Sequence, residues 1–343
     1  MIVKPPRLRT GDTVAAISMS NGYAALMPDR YAVGKQQIEA RFGVKVIETP
    51  NAIREPDWLY RNPKARADDL HWALCNDTVR AIFSTIGGYE SVRTLPHLDH
   101  NLIRQHPKIM MGASDTTVTL TAFLRAGVVA FNGPPVMCDL AENCGIRPFV
   151  ADSVRAALFA AQPFPFQAAE SWTEEFLEWT DPGSQSRERK FIASEGWVWL
   201  QGTARVSGRL VGGCIEVLEF LKGTPWWIPK KLWDSAIFFL ETSDEAPTPK
   251  AVSYWLRNYG SQGILERISG MLVARPARYT REMTDALYAE IRRVLAEFSR
   301  EDLPVVANMD FGHTSPQMVV PLGCRAMIDP VAKRVAVLES PVA

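Results

Sequence analysis

Up to about residue 131, short apolar runs alternate with segments of helical periodicity, and nothing else in the chain restricts its fold as much. Residues 13–18 read as a buried strand, followed by the loop Met19-Ser-Asn-Gly22. Helical spacing runs from Pro28 to Phe42 and stops at Gly43, a fitting C-cap. Strand-like runs return at 44–47, 79–83, 109–111 and 128–131. A helical stretch at 63–76 places Leu70, Ala73 and Leu74 on one face. Strands separated by helices predict an α/β fold with a mostly parallel, doubly wound sheet.

The rhythm breaks near Gln162. Pro163 and Pro165 lead into Ser171-Trp-Thr-Glu-Glu-Phe-Leu-Glu-Trp179 and then into the polar segment 181–190, which reads as a mobile loop. Beyond it lie short strand candidates at 196–200, 203–206 and 236–240, and helical patterns at 215–221, 250–259 and 283–299. A chain of 343 residues is long for one core. The division expected is an N-terminal α/β domain over 1–165, a linker and mobile loop over 166–190, and a C-terminal domain over 191–343.

The 38 basic and 38 acidic side chains balance, so no nucleic-acid polymer or anionic membrane surface is expected as a partner. Zero net charge gives little colloidal repulsion and leaves self-association open. The five cysteines include no Cys-x-x-Cys pair, which suggests neither a zinc site nor a disulfide framework. Reduced thiols and a cytoplasmic location fit best. No signal peptide is read at the N-terminus, and no apolar run approaches the ~18 residues of a membrane span.

Three element ends carry reactive side chains. Ser114 follows the apolar run of Lys108-Ile-Met-Met-Gly-Ala-Ser114-Asp115, at the mouth of the sheet, where open α/β proteins place their chemistry. It is either a nucleophile awaiting a base or the N-cap of the helix that follows. His313 stands between Gly312 and Pro316 in a constrained loop beyond the apolar 303–307 segment; it is a held imidazole or an ordinary surface residue. Glu241 ends the run Ala236-Ile-Phe-Phe-Leu240, with Asp244 and Glu245 as neighbours able to fill the same role. Gly87-Gly88-Tyr89 forms a turn suited to an oxyanion hole, or a plain turn. No dinucleotide fingerprint, Walker pattern or His-Glu-x-x-His occurs, so neither cofactor nor metal is expected. Ser, Glu and His, each after an apolar strand, suggest a triad defined by roles and not by spacing.

Several motifs in one order also resemble a known family. They are Arg9-Thr-Gly-Asp12, Ile86-Gly-Gly-Tyr-Glu-Ser91, Gly112-Ala-Ser-Asp115, Asn132-Gly-Pro134, Gly212-Gly213 with Gly223-Thr-Pro225, Phe239-Leu-Glu-Thr242 and Phe311-Gly-His-Thr-Ser-Pro316. Over nearly its whole length the chain resembles the LD-carboxypeptidase family of serine peptidases, and within it the microcin C immunity branch. The resemblance implies Ser114 as nucleophile, His313 as general base and then acid, and Glu241 as the residue orienting the imidazole. It implies the backbone N–H groups of Gly88 and Asp115 as oxyanion donors. It also implies a Rossmann-like (flavodoxin-like) N-terminal domain, a smaller β-rich α+β C-terminal domain, a site between them and a cytoplasmic homodimer. The pattern departs at Ala113, where the family often has an aromatic or another residue, at Ser315, a serine for the threonine expected in the immunity branch, and at Cys214, where many relatives carry Asn.

Two branch activities are implied. One trims the terminal D-alanine from murein tetrapeptides; the other cleaves the amide joining an aminoacyl group to a nucleotide-like moiety. The stretch 195–202, the run 241–247 and the run 257–263 look like the immunity branch, which makes antibiotic resistance the expected role. Gly87 and a tryptophan among Trp179, Trp197 and Trp199 are the expected substrate contacts, the ring stacking on a purine. Alternatively Trp197 and Trp199 alternate on a strand and fill a core. A small-ligand binding protein on the same scaffold is the non-catalytic alternative.

Overall fold

The first alternating run folds as its periodicity predicts. The computed structural model describes residues 2–181 and 183–343; Met1, and Pro182 inside the polar 181–190 segment, lie outside them. Strands β1 (Thr13–Ile17), β2 (Lys45–Glu48), β3 (Val79–Ser84), β4 (Ile109–Gly112) and β5 (Ala130–Asn132) are mutually parallel. They lie in the order β2-β1-β3-β4-β5, the flavodoxin-like order. Successive residues such as Ala15, Ala16 and Ile17, or Ile82 and Phe83, are all buried, because a parallel sheet is covered on both faces. The helix Pro28–Phe42 ends at Gly43, whose φ of 66° is left-handed and whose N–H reaches Glu39 O at 2.9 Å.

The remaining strands are β6 (Phe164–Pro165), β7 (Ser171–Trp172), β8 (Ile192–Ala193), β9 (Val198–Gln201), β10 (Val206–Cys214), β11 (Ile237–Glu241), β12 (Gly270–Ala274), β13 (Val305–Met309), β14 (Val320–Leu322), β15 (Arg325–Asp329) and β16 (Arg334–Val337). Eight of them form a mixed sheet in the order β6-β16-β15-β10-β11-β12-β13-β9. Its central β10 to β13 are parallel and are linked in sequence through the helices Ile215–Leu221, Pro249–Ser261 and Arg281–Glu297. The two longer helices start at threonine caps: Thr248 Oγ1 accepts the Ala251 N–H and Thr280 Oγ1 the Met283 N–H, each at 3.2 Å.

The two sheets exchange strands. β6 leaves the N-terminal region to pair with β16, and β14 returns to pair antiparallel with β5 at the edge of the first sheet. The chain end follows it: Ala343 O accepts the Arg7 N–H, and the Ala343 N–H donates to Pro5 O.

Both parallel runs turn their carboxyl ends toward one cleft. The segments after β1, β3 and β4 contribute Asn21, Gly87, Gly88 and Ser114; those after β11, β12 and β13 contribute Ser243, Ala277 and His313. The polar segment packs back onto the first region: Asn143 Nδ2 donates to Ser184 O at 2.7 Å and to Arg187 O at 3.0 Å. Among the described residues no helix is long and apolar enough to cross a membrane.

Candidate active site

Ser114 does not cap the helix after it. Neither the 3-10 turn Ser114–Thr116 nor the helix Thr117–Ala126 has a side-chain cap. Instead Ser114 stands at φ 59°, a left-handed conformation that costs a non-glycine residue roughly 1–3 kcal/mol and persists only where its surroundings enforce it. They do so through the next residue. Asp115 is fully buried; its Oδ2 accepts Ser20 Oγ at 2.5 Å and the Ser91 N–H at 2.8 Å, while Ser91 Oγ donates to the Asp115 carbonyl at 2.7 Å. Burial pushes the Asp115 carboxyl above its ordinary range against these donors. The grip leaves Ser114 at the sharp strand-to-helix corner with its hydroxyl free of any hydrogen-bond partner among the described residues.

Glu241 is the last residue of β11 and is fully buried, so it does not terminate the strand in solvent. Its Oε2 lies 3.0 Å from His313 Nδ1. That contact occupies one ring nitrogen and leaves Nε2 as the nitrogen available to the cleft. Gly312 makes room for it: a Cβ there would fall 2.5 Å from Glu241 Oε2. Burial by itself would depress the His313 pKa. The Glu241 carboxylate outweighs it through charge and hydrogen bond, Asp244 and Glu216 add to it, and the ring ends above the ordinary histidine value. The two neighbouring carboxylates are engaged elsewhere: Asp244 pairs with Arg278 at 3.4 Å and Glu245 Oε1 takes the Tyr89 hydroxyl at 2.5 Å.

The double glycine borders Ser114 directly. A Cβ on Gly87 would sit 3.0 Å from Ser114 Oγ and 3.3 Å from the Asp115 nitrogen, so its absence keeps open the space above the hydroxyl. The Gly88 N–H has no partner among the described residues. An amide beside the serine and an unspent amide on the facing turn are the donor type that an acyl-transfer oxyanion requires.

Ser114, His313, Gly87 and Gly88 line a cleft of about 320 Å³, a size suited to a small molecule. Trp179 lines it, with the Arg30 guanidinium 4.9 Å from its ring centroid and Phe176 at 5.6 Å. Trp197 and Trp199 do not. Trp197 donates its indole N–H to Asp310 Oδ2 at 2.8 Å, and Trp199 sits in β9 opposite Val306. Both pack against the core, Trp199 within β9 and Trp197 just before it. Polar lining residues that went unread in the sequence include Arg30, Asp139, Asn143 and Arg189. Arg30 is one of many charged residues on a helix, and only the packed structure shows it buried, donating to Asn143 Oδ1 at 2.6 Å and Gln185 Oε1 at 2.7 Å.

Comparison with known proteins agrees with this architecture. The family model for the LD-carboxypeptidase N-terminal domain matches residues 14–133, and that for the C-terminal domain matches residues 207–328. The microcin C7 self-immunity protein MccF of Escherichia coli is 25% identical over 97% of this chain and 94% of its own length. A probable murein peptide carboxypeptidase of Bacillus subtilis is 27% identical over 98% of this chain and 94% of its own. The structure of MccF in complex with aspartyl sulfamoyl adenosine superposes with a TM-score of 0.87 at 23% identity, covering 99% of this chain and 100% of that one.

Proposed function

The chain belongs to the LD-carboxypeptidase family, and from that membership we propose a serine hydrolase that cleaves a small amide joining an aminoacyl group to a nucleotide-like moiety. One observation carries the reading: a serine held at φ 59° shares a cleft with an imidazole whose Nδ1 is 3.0 Å from a buried carboxylate. In this mechanism Ser114 Oγ attacks the carbonyl carbon and His313 Nε2 takes its proton. The Gly88 and Asp115 amides hold the oxyanion. His313 then gives the proton to the leaving nitrogen, the C–N bond breaks, and an acyl-serine remains. Water, deprotonated by the same nitrogen, attacks the ester and releases the acid and Ser114. The step needs no cofactor.

The murein reading is the alternative, favoured by the Bacillus subtilis relative. Mass-spectrometric product analysis with an aminoacyl sulfamoyl adenosine and with a murein tetrapeptide separates the two. Turnover of the nucleotide conjugate supports the first reading. Turnover of the tetrapeptide alone moves the assignment to the second, and turnover of neither favours the binding-protein reading. Trp179 supplies a further discriminator. Loss of one base–aromatic stack costs about 1–3 kcal/mol, so Trp179→Ala should raise KM for the nucleotide conjugate about 5–150-fold. Its effect on the tetrapeptide should be small.

Glu241→Gln tests the orienting carboxylate. The general base must be neutral, and its raised pKa places the acid limb of kcat/KM above the ordinary histidine value of about 6.5. Removing the carboxylate charge takes away what raises it. The limb should therefore move to lower pH in Glu241→Gln while the plateau falls, by up to about 10⁴-fold if the wrong tautomer results. A limb that stays in place would assign the acid dependence to another group.

A further inference from the structure

Ser114 is carried by the first sheet and Glu241 with His313 by the second. The separation of nucleophile and imidazole is thus set by whatever fixes the His313 loop to the strand ends of the first sheet. Glu241 cannot do this, because it belongs to the same sheet as the imidazole.

Asp139 is placed to do it. It opens the short turn Asp139–Ala141, reached directly from β5, and its side chain is 2% exposed. Both carboxylate oxygens are spent on the His313 loop: Oδ1 accepts Ser315 Oγ at 2.5 Å and Oδ2 accepts the Gln317 N–H at 2.6 Å. Thr173 clamps the same point through the backbone, with Thr173 N–H to Ser315 O at 2.7 Å and Ser315 N–H to Thr173 O at 2.9 Å. Arg189 is the only guanidinium at this carboxylate among the described residues, 3.5 Å away, and it is shared with Glu142, to which it binds bidentately.

A carboxylate in such a place is poor value for stability alone. Burial pushes Asp139 up to about 6 despite Arg189, and an apolar group of similar volume would avoid that desolvation. What the ionised group supplies is direction, since two acceptors aimed at residues 315 and 317 leave the preceding imidazole little freedom.

We propose that Asp139 is a positioning residue that locks the His313 loop onto the part of the fold carrying Ser114, so that the imidazole reaches the hydroxyl across the cleft. The inference rests on His313 acting as the base, as proposed above. A misplacement of about 1 Å at a reacting group can cost about 10²-fold in rate, and this is the effect to look for.

The test measures kcat, KM and thermal melting for His313→Ala, Asp139→Ala, Asp139→Asn, Ser315→Ala and the Asp139→Ala/Ser315→Ala pair, on whichever substrate the unaltered enzyme turns over. Asp139→Ala should lower kcat about 10²-fold with KM within about threefold. Asp139→Asn retains an acceptor for the Gln317 N–H and a donor for Ser315 Oγ, and should recover about tenfold of that loss while staying below the unaltered enzyme. The double variant should be no slower than Asp139→Ala, because the hydroxyl acts through the carboxylate. Should Asp139→Ala fail to fold, Asp139→Asn alone decides: about a tenfold lower kcat at unchanged KM supports the proposal. An unchanged kcat in a folded Asp139 variant, or a rise in KM alone, overturns it. His313→Ala at full activity overturns instead the reading on which it rests.

Discussion

Ser114→Ala should lower kcat by about 10⁴–10⁶-fold on the enzyme's substrate and leave the melting temperature close to that of the unaltered chain. The size follows from the proposed role: without Oγ no acyl-serine could form, and only binding and the proposed oxyanion amides would remain. The unchanged melting follows from the backbone, because alanine keeps the Cβ and with it the strain of a φ of 59°. Ser114→Gly sharpens the test. It should be equally inactive, yet melt above Ser114→Ala, since glycine takes positive φ without the steric penalty. Activity near normal in either variant removes Ser114 from the chemistry. Equal melting of the two would show that the corner is not strained.

Gly312→Ala should be nearly as damaging although it removes no functional group. The added methyl would stand 2.5 Å from Glu241 Oε2, 3.0 Å from Glu241 Cβ and 3.3 Å from Ala274 Cβ, on a residue whose φ is 95°. Backbone strain of roughly 1–3 kcal/mol should appear as a lower melting temperature. Displacement of the carboxylate from His313 Nδ1 should appear as a kcat loss of up to about 10⁴-fold, the scale seen when an imidazole loses its orienting partner. KM should change little, because Trp179 and the amides beside Ser114 are untouched. A Gly312→Ala enzyme with normal kcat would mean that Glu241 does not orient the ring.

How far the sequence reaches depends on whether a signal is local. The five parallel strands of the first sheet were legible because each holds a short apolar run, and the helices between them carry their own period, as in Pro28–Phe42 with Gly43 behind it. The second sheet was legible only in part. The nine-residue β10 contains Gly208, Gly212 and Gly213, which erase the apolar pattern of a strand, and the reading at 203–206 caught only its first residue. The β15–β16 hairpin and β12 were not read at all, and β14 gives no hint in sequence that it joins the first sheet.

The same division holds at the site. Ser114, Glu241 and His313 each sit at an element end, and the family motifs single them out. Whether Ser114 caps a helix or stands on a strained corner is decided by Ser20 and Ser91, which grip Asp115 from distant parts of the chain. Trp179 separates from Trp197 and Trp199 only once the cleft and the Asp310 contact exist in three dimensions.

The return of β14 to the edge of β5 bears on how this molecule can be taken apart. A chimera that grafts residues 1–165 onto a relative's second half would inherit a foreign edge strand as well as a foreign His313 loop. A fragment cut before Val320 would leave β5 with its backbone amides and carbonyls bare on one side, an invitation to sticking between copies. Exchanging recognition elements between relatives therefore calls for a graft in which the 320–322 segment and the Ala343 tail travel with the first sheet and not with the second.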